Sequence, residues 1–110
     1  ALNSAPTARD WLNKNKNDPR VKIVSDICPK SIAVRTSGTS GHVMIIENVI
    51  YNEDGSPETV YFTECNMDIN GTYNAGTDCV VEKMSYADFI RTRLKCTDES
   101  QPKECYIVAA

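Results

Sequence analysis

The chain has 110 residues, of which 41% are hydrophobic, and a formal net charge of −3. This length and apolar content fit a single domain over residues 1–110. Acidic and basic residues are mixed along the chain and the apolar runs fall far short of roughly 20 residues, so we expect neither nucleic-acid binding nor a membrane span.

A short helix is the first predicted element, from Thr7 to about Lys16. Thr7 can cap it, and apolar residues at helical spacing follow. The segment 21–24 then predicts a short extended stretch, and Ser31 to Arg35 a strand. Residues 36–41 are small, which is typical of a loop, and they lead into the chain's only histidine.

The strongest strand prediction runs from His42 to Tyr51. It is apolar on both faces, which favours a central position in a sheet. Residues 52–57 form a turn cluster, so we predict a hairpin with a partner strand from Thr59 to Asn66.

The rest of the chain predicts a loop, a strand, a helix and a last strand. Residues 67–78 are polar and include Asn70-Gly71-Thr72, which fits a turn or a glycosylation sequon, the turn being favoured. A strand over 79–84 leads to a helix from Ser85 to about Lys95, and residues 106–109 predict the final strand. A short N-terminal helix, mostly antiparallel strands and one helix near the C-terminus make an α+β fold.

The cysteine content indicates the compartment. Five cysteines in 110 residues favour an oxidising environment, so we expect a secreted, extracellular protein. No CxxC pair is present and one histidine offers little for zinc, so we expect no metal and no cofactor. An odd number leaves one thiol free or bonded to another chain. Cys96 and Cys105 flank a polar segment, and we predict a disulfide between them.

His42, Glu64 and Asn66 form the candidate site. Alternation along a strand puts Glu64 and Asn66 on one face, so a neighbouring strand can bring His42 to them. A base and groups that orient it are what cysteine hydrolases require. The alternatives are a structural histidine and a strand that leaves into solvent at residue 64. By the same alternation, Glu47 falls on the face opposite His42.

No residue stands out as the nucleophile. Cys65 should point away from Glu64, which favours a core thiol or a disulfide. Cys28 precedes His42 but does not begin a helix, where a thiol pKa is lowered. Ser40 lies in no nucleophile-elbow motif, so we interpret it as a small loop residue.

Four segments resemble the CHAP domain, the cysteine, histidine-dependent amidohydrolases/peptidases of the papain-like NlpC/P60 group. The segments are residues 8–11 (ARDW), 29–34 (PKSIAV), 41–49 (GHVMIIENV) and 64–66 (ECN). They occur in the family's order, and the likeness covers roughly residues 5–110. Where the family usually has a glycine or the acidic residue beside it, this chain has Ser31.

The resemblance implies a papain-like fold and thiol-dependent hydrolysis of an amide, typically in peptidoglycan. His42 would be the general base, with Glu64 and Asn66 orienting it. In this family the cysteine begins a helix upstream of the tryptophan segment, and no cysteine precedes Trp11 here.

Three explanations of the missing cysteine stay open. In the first, the cysteine lies on a missing N-terminal segment or on a separate chain, which a disulfide could link to this one. In the second, the chain is a non-catalytic relative. In the third, Cys28 has taken the role. The unpaired thiol favours the first explanation. A secreted binding or toxin-like module with the same fold is the alternative function.

Overall fold

The computed structural model describes residues 10–37, 41–65, 79–95 and 101–110, and of residues 65, 79 and 80 the backbone alone. The elements in these ranges are three helical segments and six strands. The helical segments are α1 (Trp11–Asn15), α2 (Tyr86–Asp88) and α3 (Phe89–Leu94, π-helical). The strands are β1 (Val21–Val24), β2 (Ile32–Arg35), β3 (His42–Tyr51), β4 (Pro57–Cys65), β5 (Cys79–Ser85) and β6 (Tyr106–Ala109).

All six strands of the described ranges belong to one sheet, in the order β1-β6-β2-β3-β4-β5. Every neighbouring pair is antiparallel. The prediction of an α+β fold with a mostly antiparallel sheet is therefore confirmed at that coarse level. The predicted bounds of β1, β3 and β6 are also confirmed, and β4 begins two residues earlier than predicted, at Pro57.

The hairpin between β3 and β4 is closed by the predicted turn. The Asn52 amide donates to the Ser56 carbonyl at 2.8 Å, and the Asp54 carboxylate accepts from the Ser56 amide at 2.9 Å. Gly55 has a φ of 88°, which only glycine adopts without strain. The resulting register pairs Met44 with Glu64, and the predicted antiparallel neighbours are confirmed.

A β-bulge interrupts β3 at Glu47. The register with β4 pairs Ile46 with Phe62 and then Asn48 with Tyr61, so Glu47 is an extra residue. The bulge changes the alternation of the strand. Ile46 and Val49 consequently both face the core, with 0% and 5% of their surface exposed.

The core lies between one face of the sheet and the segments α2 and α3. We call this sheet face the covered face; it carries Met44 and Phe62, and both are fully buried. The Phe62 and Phe89 rings meet edge to face with centroids 5.0 Å apart. Leu94 is buried beside them in the same apolar cluster. Burial of this aromatic pair fixes α3 against the strands that carry the candidate site.

The predicted helix near the C-terminus is present, but its winding differs from a regular α-helix. The Ser85 hydroxyl caps it as predicted, accepting from the Asp88 amide at 3.1 Å. From Phe89 the chain is π-helical and ends at Lys95, whose φ is 53°. Because π-helical bonds join residues five apart, Phe89 and Leu94 come to lie on one side. The apolar pattern predicted the helix and could not predict this change.

Some of the predictions concern residues that the structure does not describe. The N-terminal helix is present as α1, which Asp10 precedes, while the predicted cap at Thr7 lies outside the described residues. Cys96 and Asn70 also lie outside them, so the disulfide between Cys96 and Cys105 stays a prediction. No helix in the described ranges has the length and apolar character needed to cross a membrane.

Truncating a buried valine and an exposed valine tests which sheet face is packed. Val60 is fully buried, whereas Val81 on the next strand is 70% exposed. We expect Val60→Ala to lower the free energy of unfolding by about 2 kcal/mol. Val81→Ala should change it by less than about 0.5 kcal/mol. Urea denaturation of both variants checks this, and equal losses would contradict the assignment of the covered face.

Candidate functional site

His42 begins β3 immediately after Gly41. Gly41 has a φ of 69°, which a residue with a side chain rarely adopts. This turn leads the chain into the strand, and the register places His42 opposite Arg35 of β2. The His42 side chain is 22% exposed, so the ring lies at the edge of the covered face and keeps access to solvent.

Glu64 of β4 forms a hydrogen bond with the His42 ring. His42 Nε2 and Glu64 Oε1 are 2.7 Å apart. The two residues are diagonal neighbours on one sheet face, because Met44 is the residue directly opposite Glu64. The structure therefore contains the predicted contact between the His42 and Glu64 side chains.

The low pKa of Glu64 decides which ring nitrogen carries the proton. Desolvation is the largest effect and raises the pKa. Hydrogen bonds with His42 and Glu82 and the charge of Arg93 outweigh it, and the pKa of Glu64 falls from 4.5 to about 2. An ionised carboxylate only accepts hydrogen bonds, so Nε2–H donates to it. Nδ1 is then the nitrogen that can accept a proton.

Arg93 of α3 also holds Glu64, and its closest contact is to the same oxygen that bonds His42. Its Nε lies 2.9 Å from Oε1 and 3.1 Å from Oε2 of Glu64. Its Nη2 donates to Glu82 Oε2 of β5 at 3.0 Å, and its guanidinium carbon lies 5.8 Å from the centre of the Phe62 ring. Arg93 therefore contacts two carboxyl groups while packing on the aromatic core.

The pKa of Glu82 moves in the opposite direction to that of Glu64. Its contact with Glu64 is the largest cause, followed by desolvation, and both raise the pKa. The two carboxyl groups share the Arg93 guanidinium, and two like charges close together disfavour full ionisation of both. The proton is consequently retained more readily on Glu82, and Glu64 stays ionised next to His42.

The sequence did not indicate Arg93 or Glu82 as site residues. Arg93 lies in a predicted amphipathic helix, where a charged residue is normally read as solvent-facing. A signal for Glu82 did exist: it alternates with Met84 on a strand, so both belong to the covered face. A carboxylate in that position needs a partner, and Arg93 is the partner.

Of the two other residues considered from the sequence, Glu47 is described by the structure and Asn66 is not. Glu47 lies on the opposite face, as predicted, and accepts a hydrogen bond from the Thr63 hydroxyl at 2.7 Å. Its role in the described structure is to bridge β3 and β4 away from His42.

Cys28 precedes a turn that is bonded to β3 four residues along the strand from His42. The turn that follows it is anchored on β3 by Ile46, whose backbone bonds Lys30 at 2.7 Å and Ser31 at 2.9 Å. A strand rises about 3.3 Å per residue, so Ile46 is roughly 13 Å along β3 from His42. This separation argues against direct proton transfer between Cys28 and His42.

Other features of the described ranges do not coincide with this site. In these ranges no group of three or more His, Cys, Asp or Glu side chains could hold a metal ion. A cavity of about 680 Å³ lies against α1 and β1, with Leu12, Val21 and Glu104 in its lining. His42 and Glu64 do not line it, so this cavity is separate from the candidate site.

Comparison with protein-family models, with curated proteins and with solved structures finds no match to this chain.

Acid titration of the folded chain tests the low pKa of Glu64. A lowered pKa adds stability that is fully present above pH 4.5 and is lost as the pH falls towards about 2. Glu82, with its raised pKa, acts with the opposite sign, since its contribution is lost as the pH rises. The cleanest comparison is therefore made in a Glu82→Gln background.

In that background we expect Glu64→Gln to remove about 1–3 kcal/mol of the pH-dependent loss of stability between about pH 5 and pH 2. Urea denaturation at several pH values gives the two curves. Parallel curves for the single and double variants would show that Glu64 titrates normally in the folded chain.

Two arginines of α3 provide a matched test of the Glu64 site. Arg91 is exposed and pairs with Asp88, whereas Arg93 is 27% exposed and holds Glu64. We expect Arg93→Gln to cost about 1–3 kcal/mol of unfolding free energy, because a half-buried carboxylate loses its counter-ion. Arg91→Gln should cost at most about 0.5 kcal/mol.

Carboxyl-carbon NMR of the same variants provides a second measurement. The pKa of Glu64 should rise above about 2 in Arg93→Gln and stay unchanged in Arg91→Gln. An unchanged pKa in both variants would mean that Arg93 does not stabilise the ionised carboxylate.

Proposed function

We propose that this chain carries the general base of a thiol-dependent amide hydrolase of the CHAP type, with a papain-like fold and peptidoglycan peptides as its substrates. The single observation that supports this function is the 2.7 Å hydrogen bond between His42 Nε2 and Glu64 Oε1. A base whose second nitrogen is held by a carboxylate has a fixed ring orientation and a fixed tautomer.

In the proposed reaction, Nδ1 of His42 takes part in every proton transfer. It first removes the proton of a cysteine thiol, and the thiolate attacks the carbonyl carbon of the amide. It then gives that proton to the leaving amine as the tetrahedral intermediate collapses to the acyl-enzyme. A water molecule, deprotonated by the same nitrogen, hydrolyses the thioester and returns the thiol.

Glu64 stabilises the positive charge that His42 gains after taking the thiol proton. It is suited to this role because its low pKa keeps it ionised across the neutral range. Asn66 is proposed to add a second orienting group. The nucleophilic cysteine is proposed to lie outside the described residues, on another segment or chain, since Cys28 is anchored at the level of Ile46.

The base is tested by hydrolysis of peptidoglycan. The chain is assayed alone and together with a CHAP-type N-terminal segment whose helix begins with cysteine. We expect little or no hydrolysis by the chain alone, activity in the mixture, and a loss of about 10²–10⁴-fold on His42→Ala.

Two glutamates on opposite faces of the same hairpin supply the control. Glu64→Gln should lower the activity by roughly tenfold to a hundredfold, because the ring loses its fixed position. Glu47→Gln should leave the activity unchanged, since Glu47 bonds Thr63 on the other face. Hydrolysis that does not depend on His42 would reject the proposal, and inactivity with the cysteine-bearing segment would favour a binding module of the same fold.

A further inference from the structure

Arg35 differs from the other arginines of the described ranges. Each of the others forms an ion pair with a carboxylate: Arg20 with Asp18, Arg91 with Asp88, and Arg93 with Glu64 and Glu82. Arg35 forms none in those ranges, although the chain has 15 acidic and 12 basic residues. Its guanidinium donates only to the Ser37 carbonyl at 3.3 Å and to the Gly41 carbonyl at 3.4 Å.

These two hydrogen bonds do not neutralise the charge of Arg35. Both lie beyond the usual 2.7–3.2 Å for an N–H donor and are therefore weak. Arg35 is half-buried, so water screens its charge only in part. Glu104, two residues before β6, is exposed and forms no ion pair with Arg35 among the described residues.

The position of Arg35 relates it to the candidate base. Arg35 and His42 are direct cross-strand partners, as are Ala33 and Met44 two residues further along the strands. Side chains of such partners share a sheet face, with Cβ atoms about 4.5–5.5 Å apart. Ala33 and Met44 are both fully buried in the core cluster, so Arg35 and His42 lie at the edge of the covered face.

A row of ionisable side chains therefore crosses this edge of the sheet. It runs from Arg35 through His42 to Glu64, and then through Arg93 to Glu82. Glu64 is occupied by His42 and Arg93, and Arg93 is occupied by both glutamates. Arg35 is the member of the row whose ionic partner is missing from the described residues.

We propose that Arg35 binds a carboxylate of the substrate next to the amide that His42 acts on. The proposal rests on the proposed hydrolysis. It restricts the substrates to amides that carry a free carboxylate within one residue of the bond that is cleaved. A terminal carboxylate, or the α-carboxylate of a residue linked through its side chain, has this geometry. The planar guanidinium suits a carboxylate because two parallel N–H donors meet its two oxygens.

The test uses a pair of small probes that differ only in charge. N-acetylglycine carries an amide with an adjacent carboxylate, and N-acetylglycinamide has the same shape without the charge. Because the chain contains one histidine, its ring protons give a single set of NMR signals from the candidate site. We expect a saturable shift of these signals with N-acetylglycine and none with N-acetylglycinamide.

Substitutions then assign the carboxylate to Arg35. Arg35→Gln should weaken the binding of N-acetylglycine by roughly tenfold or more, because a charge-assisted hydrogen bond is lost. Arg35→Lys should give an intermediate affinity, since it keeps the charge and loses the planar donors. Arg91→Gln, which removes an exposed arginine on α3, should bind as the unsubstituted chain does.

Equal responses to the two probes, or no saturable response to N-acetylglycine, would overturn the proposal without any variant. Unchanged binding in Arg35→Gln would overturn it as well. If Arg35→Gln does not fold, Arg35→Lys and the probe pair decide. None of these measurements requires turnover, so the two proposals can fail separately. Carboxylate binding can be absent while His42→Ala still abolishes hydrolysis. Hydrolysis can be absent while N-acetylglycine still binds.

Discussion

The Glu64 carboxylate lies at the edge of an apolar sheet face, where its charge is tolerated because donors reach it from two sides. Its side chain is 14% exposed, so water alone does not solvate it. His42 donates from the neighbouring strand, and Arg93 donates from α3. Placing these two donors requires the register of the hairpin and the docking of α3, and both depend on the burial of Phe62 and Phe89.

The same interaction couples stability to the candidate chemistry. A carboxylate that orients a base must stay ionised, which requires donors, and each donor must be fixed by packing. Arg93 meets both demands, because its guanidinium contacts Glu64 while it lies over the Phe62 ring. A change in the core around Phe62 would thus be felt at His42 without touching it.

The sequence predicted the His42–Glu64 contact because local rules determine it. Alternation along a strand fixes the face of each residue, and the turn at residues 52–57 fixes which strands pair. The same rules gave the strand bounds of β1, β3 and β6. Asn66 was predicted by the same argument and lies outside the described residues, so that part of the site stays a prediction.

Arg93 and Glu82 were missed because their contacts are long-range. Arg93 reaches Glu64 from 29 positions further along the chain, and it does so from a π-helical segment. Neither the change in winding nor the way a helix docks on a sheet follows from the apolar pattern of a single sequence. The papain-like topology likewise depends on more than the order of strands and helices, and it remains a proposal.

The bulge at Glu47 connects the number of residues in β3 to the chemistry at its end. His42 and Val49 are seven positions apart, and in a regular strand an odd separation puts two residues on opposite faces. The extra residue brings both to the same face, with Val49 in the core and His42 beside Glu64. Loss of Glu47 would leave these two residues six positions apart, and an even separation keeps both on one face of a regular strand. A chain shortened at this position would thus keep both its packed end and the contact of His42 with Glu64, and it would lose only the bridge from Glu47 to Thr63 on the other face.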